Sequence, residues 1–155
     1  MKLLLIRHGE TTGDIEDRYG GTYDDHLTER GREQLQQTAQ NLKGQVVDMI
    51  FHSPLRRAAE SAEIISQHIN APMTEVAGLK ERSHGVLGGL TKAEALEQYP
   101  DAVAAYKNPM NTDPGGEAWD DFKARVVNVF EEIIATSEAA GHQTIIILAH
   151  GGSLK

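Results

Sequence analysis

Leu3-Leu4-Leu5-Ile6-Arg7-His8-Gly9-Glu10 decides the reading of this chain: four apolar residues without alternation run straight into a cation, an imidazole and a glycine. An apolar run this short is no secretory segment, and no small-residue cleavage site follows it. It reads as a strand. Residues 46–51 and 144–149 repeat the pattern, and continuous apolar runs of this length suit strands covered on both faces by helices. Helical signals lie between them. Thr28 is placed to cap a helix carrying Leu35, Ala39 and Leu42, with Gly44 as its stop. Leu55, Ala58, Ala62, Ile65 and Ile69 share one face of a second helix that ends near residues 70–72. Residues 76–79 suggest a short extra strand. The longest helix carries Trp119, Phe122, Val126, Val129, Phe130 and Ile133 at steps of three and four, and Gly141 marks its exit. Residues 84–116, broken by glycines and prolines around a weakly helical stretch, read as an excursion over the sheet edge.

Strand–helix alternation of this kind predicts a three-layer α/β/α sandwich with a mainly parallel sheet, in one domain over residues 1–155. The strand at 144–149 is followed only by residues 150–155, so it is expected to lack a covering element, as if a C-terminal helix and strand were missing.

Composition narrows the chemistry. With 155 residues the chain is long enough for a core without metal or disulfide staples. It has no cysteine, which removes cysteine nucleophiles, thiolate zinc sites and disulfide frameworks. The formal charge of −8 disfavours nucleic-acid binding, and no apolar run is long enough for a membrane span, so a cytoplasmic protein with no nucleic-acid or membrane partner is expected. Any site for a small anion must be a local positive pocket in an acidic molecule.

In open α/β sheets, ligands bind beyond the carboxyl ends of the strands. The three apolar runs lead into Arg7-His8-Gly9-Glu10, Ser53-Pro54-Leu55-Arg56-Arg57-Ala58 and His150-Gly151-Gly152, so two histidines and an arginine pair converge on one rim. Phosphoryl transfer needs that set: a nucleophilic ring nitrogen, planar guanidinium forks for the phosphoryl oxygens, and turns whose glycines let the backbone approach, here Gly9 and Gly151.

The segments resemble the histidine phosphatase (phosphoglycerate mutase-like) superfamily. Arg7-His8-Gly9-Glu10-Thr11 is similar to its signature, residues 24–31 to its Asp-x-x-Leu-Thr-x-x-Gly segment, and residues 53–58 to its Ser-x-Leu-x-Arg-Ala segment. Leu79-Lys80-Glu81-Arg82 with Gly85 and Gly89 resembles the stretch carrying its acidic proton donor, His150-Gly151 its second histidine, and Pro114-Gly115-Gly116-Glu117 a further turn. The resemblance implies that His8 becomes a phosphohistidine, that Arg7, Arg57 and His150 hold the phosphoryl oxygens, and that Glu81 protonates the leaving group and then helps activate water. Thr11, Gly21, Thr22 and Gly151 are expected to line the phosphate pocket. No metal or cofactor is implied. Arg57 is preferred over Arg56 by the Leu-x-Arg-Ala spacing. Trp119 reads as core, and His84, in the segment of the acidic donor, as able to touch substrate.

Asp14 stands where the family often has an asparagine, and a carboxylate there repels an anion unless it turns away. Gly88 and Ala118 also depart from the family pattern. The expected activity is hydrolysis of a small phosphorylated metabolite. A cofactor-dependent mutase and a non-catalytic phospho-ligand binder or inactive fragment are the alternatives, and oligomeric state is undetermined.

Overall fold

The computed structural model describes residues 1–154. Its four strands are β1 (Lys2–Arg7), β2 (Met49–His52), β3 (Met73–Glu75) and β4 (Thr144–Ala149), all parallel, in the order β1-β4-β2-β3. Its helices are α1 (Thr12–Ile15), α2 (Glu29–Asn41), α3 (Arg56–Ile69), α4 (Lys92–Gln98), α5 (Pro100–Tyr106) and α6 (Trp119–Ala139).

Side chains alternate across a strand, so β4 feeds both faces of the sheet. Ile146 and Leu148 pack with Leu35, Ala39, Ala58, Ala62 and Ile65 of α2 and α3. Ile145, Ile147 and Ala149 pack with Val129 and Ile133 of α6 and with Leu79. This is the three-layer sandwich expected from the alternating elements. Each fully buried isoleucine of β4 contributes about 1.5–3 kcal/mol through removal of its apolar surface from water.

The last strand does not lack cover among the described residues. β4 sits between β1 and β2, and its residues 145–149 are all 0 % exposed. β1 and β3 are the edge strands, and Leu5 of β1 is 49 % exposed. The second strand begins at Met49 and not at residue 46, because Val46 lies on the connection, 81 % exposed. The Asp48 carboxylate there accepts the Gln143 and Thr144 amides at 2.7 and 2.8 Å, bonds that hold its pKa below the ordinary carboxylate value. The strand expected at 76–79 is displaced to β3, where Met73 lies opposite Ile50, and residues Ala77–Leu79 form a 3₁₀ turn whose Leu79 is buried against α6.

Residues 84–116 carry α4 and α5, interrupted at Tyr99-Pro100, where proline starts the second helix. They have a small core of their own with Tyr19, Leu87, Ala95 and Ala102. Lys92 Nζ lies 3.3 Å from the Tyr19 ring centre, and Tyr19 meets Tyr106 edge to face at 4.9 Å, pinning this excursion to the loop after α1.

Candidate active site

Strand register places the site. Arg7 pairs with Ala149, so His8 and His150 follow abreast from adjacent strands, and His52 pairs with Leu148, which puts Ser53, the next residue after β2, beside the end of β4. Neighbouring strands are about 4.8 Å apart. The His8 and His150 rings accordingly lie 5.3 Å apart between centres, although 142 positions separate them in the chain.

His8 is held in one tautomer. Its Nδ1 lies 2.8 Å from the Gly9 carbonyl, which only accepts, so Nδ1 carries the proton and donates. Nε2 is left as a lone pair, and Arg57 Nε donates to it at 3.3 Å. Burial, reinforced by the Arg57 and Arg7 charges and opposed by the Gly9 bond and Asp14, pushes the His8 pKa down from 6.5 to about 4. His150 is fully buried. Its Nε2 shares a 2.7 Å hydrogen bond with Ser53 Oγ, and its Nδ1 has no partner among the described residues. Burial first, then the charges of Arg57 and Arg7 and the coupling to the His8 ring, lower its pKa from 6.5 to about 2. Both rings are therefore neutral at pH 7, and His8 presents a bare Nε2 toward a cationic neighbour.

Arg57, 3 % exposed at the start of α3, is aimed by a cage. Its Nη1 donates to Tyr23 O at 2.7 Å and to Asp25 Oδ1 at 2.8 Å, and its Nη2 to Gly21 O at 2.7 Å. Helix periodicity sends its neighbour outward: Arg56 pairs with Glu60 at 2.8 Å on the exposed side. No side chain of α3's own N-cap residue, Leu55, caps the helix. Asp24 supplies the acceptor instead, taking the Arg56 amide at 2.8 Å.

Glu81 follows the 3₁₀ turn. Its Oε1 accepts the Arg82 amide at 2.9 Å and its Oε2 the Gly152 amide at 2.8 Å, which ties the carboxylate to the turn that carries His150. A Cβ at position 152 would strike Glu81 Oε1, so the carboxylate keeps this place only against a glycine. At Gly151 a Cβ would meet only ordinary contacts with Arg7, at 3.7 Å and beyond. Gly9 also serves helix packing: a Cβ there would lie 2.5 Å from Gly31 O and Leu35 Cδ2 of α2.

A hollow of about 270 Å³ opens over these groups. Arg7, His8, Thr11, Gly21, Arg57, Glu81 and Gly151 all line it, as do Asp14, Arg18, Asp25 and Gly152. Thr22 does not. It lines a neighbouring hollow with Lys80, Glu81 and Ser83. His150 lies beneath the surface and reaches the hollow through its contact with His8. The Asp14 carboxylate turns to Thr11, accepting its amide at 2.9 Å and its hydroxyl at 3.0 Å in a capping box that starts α1. Thr11 is thereby committed to capping.

The carboxylates around the hollow are thus engaged: Asp14 by Thr11, Asp25 by Arg57, and Glu81 by two amides. Arg18 is engaged too, by Glu16 at 2.5 Å and the Gly89 carbonyl at 2.6 Å. The Arg7 guanidinium is exposed and has no partner among the described residues. A local cationic pocket for a small anion results inside a chain of charge −8. Among the described residues no group of three or more His, Asp or Glu is placed to hold a metal, and no helix is long and apolar enough to cross a membrane.

Reading the sequence missed Asp25, Arg18 and Gly152. Asp25 adjoins a segment that drew attention for Asp24, and Gly152 is the second glycine of His-Gly-Gly. Arg18 carries no local signal, since it reaches the hollow only after α1 turns the chain.

A model of the histidine phosphatase superfamily (branch 1) matches residues 3–155. The uncharacterized phosphatase PhoE of Bacillus subtilis is 29 % identical over 152 residues, which cover 98 % of this chain and 72 % of that protein. The alpha-ribazole phosphatase of Shigella flexneri superposes with a TM-score of 0.86 at 30 % identity, over 99 % of this chain and 76 % of its own. A mycobacterial glucosyl-3-phosphoglycerate phosphatase, solved with VO3, superposes with a TM-score of 0.85 at 28 % identity, over 98 % and 76 %.

Proposed function

The chain belongs to the histidine phosphatase superfamily, branch 1, and is a phosphatase; from that premise we propose that it hydrolyses a small phosphorylated metabolite through a phosphohistidine at His8. The observation that carries the reading is the pairing of a bare His8 Nε2 with the Arg57 Nε–H at 3.3 Å, over a hollow the size of a phosphate and part of its alcohol.

In the first step His8 Nε2 attacks phosphorus in line, and the Nε2–P bond forms as the bond to the leaving oxygen breaks. That oxygen takes a proton through Glu81, which receives it from the acidic proton of the phosphate monoanion. Arg57 and Arg7 neutralise the phosphoryl oxygens, and the fixed cage around Arg57 means that little reorientation is needed as charge shifts. The Nδ1–H bond to Gly9 holds the ring while Nε2 bonds to phosphorus. In the second step Glu81, now a carboxylate, takes a proton from water, the water oxygen bonds to phosphorus, and the Nε2–P bond breaks to release phosphate. Exposure of Arg7 keeps the hollow open to water, which favours hydrolysis over transfer to a second sugar acid. The names of the relatives, an alpha-ribazole phosphatase and a glucosyl-3-phosphoglycerate phosphatase, support a small-molecule alcohol as the leaving group.

Hydrolysis of para-nitrophenyl phosphate by the wild type and by His8→Ala tests the proposal. The variant is expected to lose at least about a thousandfold in rate, because the nucleophile and everything that acts through it are gone. Equal rates remove the enzyme reading.

A further inference from the structure

Beside the phosphate hollow lies a second one of about 470 Å³, and the two share Glu81 and Gly152. The hollow lined by Thr22 and Lys80 also touches Glu81, but only this one shares both Glu81 and Gly152 with the phosphate hollow. A proton donor must reach the leaving oxygen, so with phosphorus over His8 the rest of the leaving group extends past Glu81 into this space.

Its walls are Tyr106, Pro109, Trp119 and Phe122. Trp119, expected to be core, is half-buried here, its ring 5.9 Å from that of Phe122 at 45°. His84 and Tyr106 meet edge to face, 5.0 Å apart at 70°. Two polar residues of the same wall, Arg82 and His84, spend part of their hydrogen-bonding capacity elsewhere. Arg82, 5.7 Å from the Trp119 ring centre, gives its Nε, Nη1 and Nη2 to the carbonyls of Glu117, Pro109 and Asn111. His84 Nδ1 donates to the buried Asp113 at 2.8 Å. Against the ring faces that make up most of this wall the hydroxyls of a polyhydroxylated leaving group would go unpaired, and each one left so is penalised. Flat aromatic surface is matched by preset ring faces and edges.

We infer that the alcohol part of the substrate is an aromatic or heteroaromatic group, bound in the hollow walled by Tyr106, Trp119 and Phe122 and directed by His84 on its Asp113 support. The inference rests on the phosphatase reading above and names the substrate class of that same site.

The test compares kcat/KM for 2-naphthyl phosphate and glycerol 1-phosphate in the wild type, Trp119→Ala and Trp119→Leu. Each value is normalised to the same protein's hydrolysis of acetyl phosphate, whose leaving group is too small to reach the second hollow. The ratio of naphthyl to glycerol ester is expected to fall at least about tenfold in Trp119→Ala, through KM for the naphthyl ester, with a smaller fall in Trp119→Leu. An unchanged ratio, with acetyl phosphate hydrolysis still dependent on His8, overturns the aromatic assignment and leaves the phosphatase reading standing. Absence of His8-dependent hydrolysis of all three compounds overturns the phosphatase reading and the assignment with it.

Discussion

Lowering the pH tests the electrostatics of His8 without altering a residue. In the folded protein its pKa is about 4 against an ordinary 6.5, first because of burial and then because of Arg57 and Arg7. At pH 5.5 a group of pKa 4 is roughly 97 % neutral, whereas one of pKa 6.5 is roughly 9 % neutral. The nucleophile is therefore expected to stay available through mild acid. The sign for stability is the opposite. Between pH 6.5 and about 4 the unfolded chain binds a proton that folded His8 refuses, so stability declines as the pH falls through that window. At 1.36 kcal/mol per pH unit the decline reaches about 3 kcal/mol for His8, with His150 adding to it. The assay is an NMR titration with imidazole-labelled histidine, the His8 signal being identified by its absence in His8→Gln. The folded-state signal is expected to hold its neutral shift down to about pH 5, then either titrate near pH 4 or vanish as the protein unfolds. A folded His8 signal titrating near 6.5 refutes the reasoning.

Gly152→Ala pushes a methyl group into Glu81 Oε1 and displaces the carboxylate. The rate is expected to fall roughly a hundredfold while urea unfolding shifts by less than about 1 kcal/mol, since position 152 is exposed. Arg57→Leu strands the 5 %-exposed Asp25 and two carbonyls, so chemical denaturation is expected to show a loss of about 3–5 kcal/mol, part of it recovered in Arg57→Leu/Asp25→Asn, where no uncompensated charge is left. Asp14→Asn keeps an acceptor for the Thr11 amide but removes a negative charge beside the hollow. Inorganic phosphate is expected to inhibit this variant several-fold more tightly, as read from competitive inhibition constants.

Three strands of the sheet were legible in the sequence because they are short, continuous and apolar, and because each leads into residues that a solvated strand end would not need, whereas β3, the exposed Met73–Glu75, carries no such run. The strand order was not legible. Nothing local in residues 144–149 says that they pair on both sides, and only the pairing with β1 on one side and β2 on the other reveals the central position. The same holds for the site. His8, Arg57 and Glu81 carry local patterns, but Asp25 becomes part of the site only when Arg57 needs a buried counter-charge. Trp119 misled for a related reason: its spacing belongs to the apolar face of α6, yet it is the first residue of that helix and stands where the face runs out into a hollow.

Rapid mixing with a phosphorus-labelled monoester, quenching in alkali to preserve phosphohistidine, and peptide mapping addresses the chemistry itself. Label is expected on His8, approaching one per chain and absent from His8→Ala. Sustained hydrolysis with no label on the protein, or with label on another residue, contradicts the assignment of His8 as the group that bonds to phosphorus.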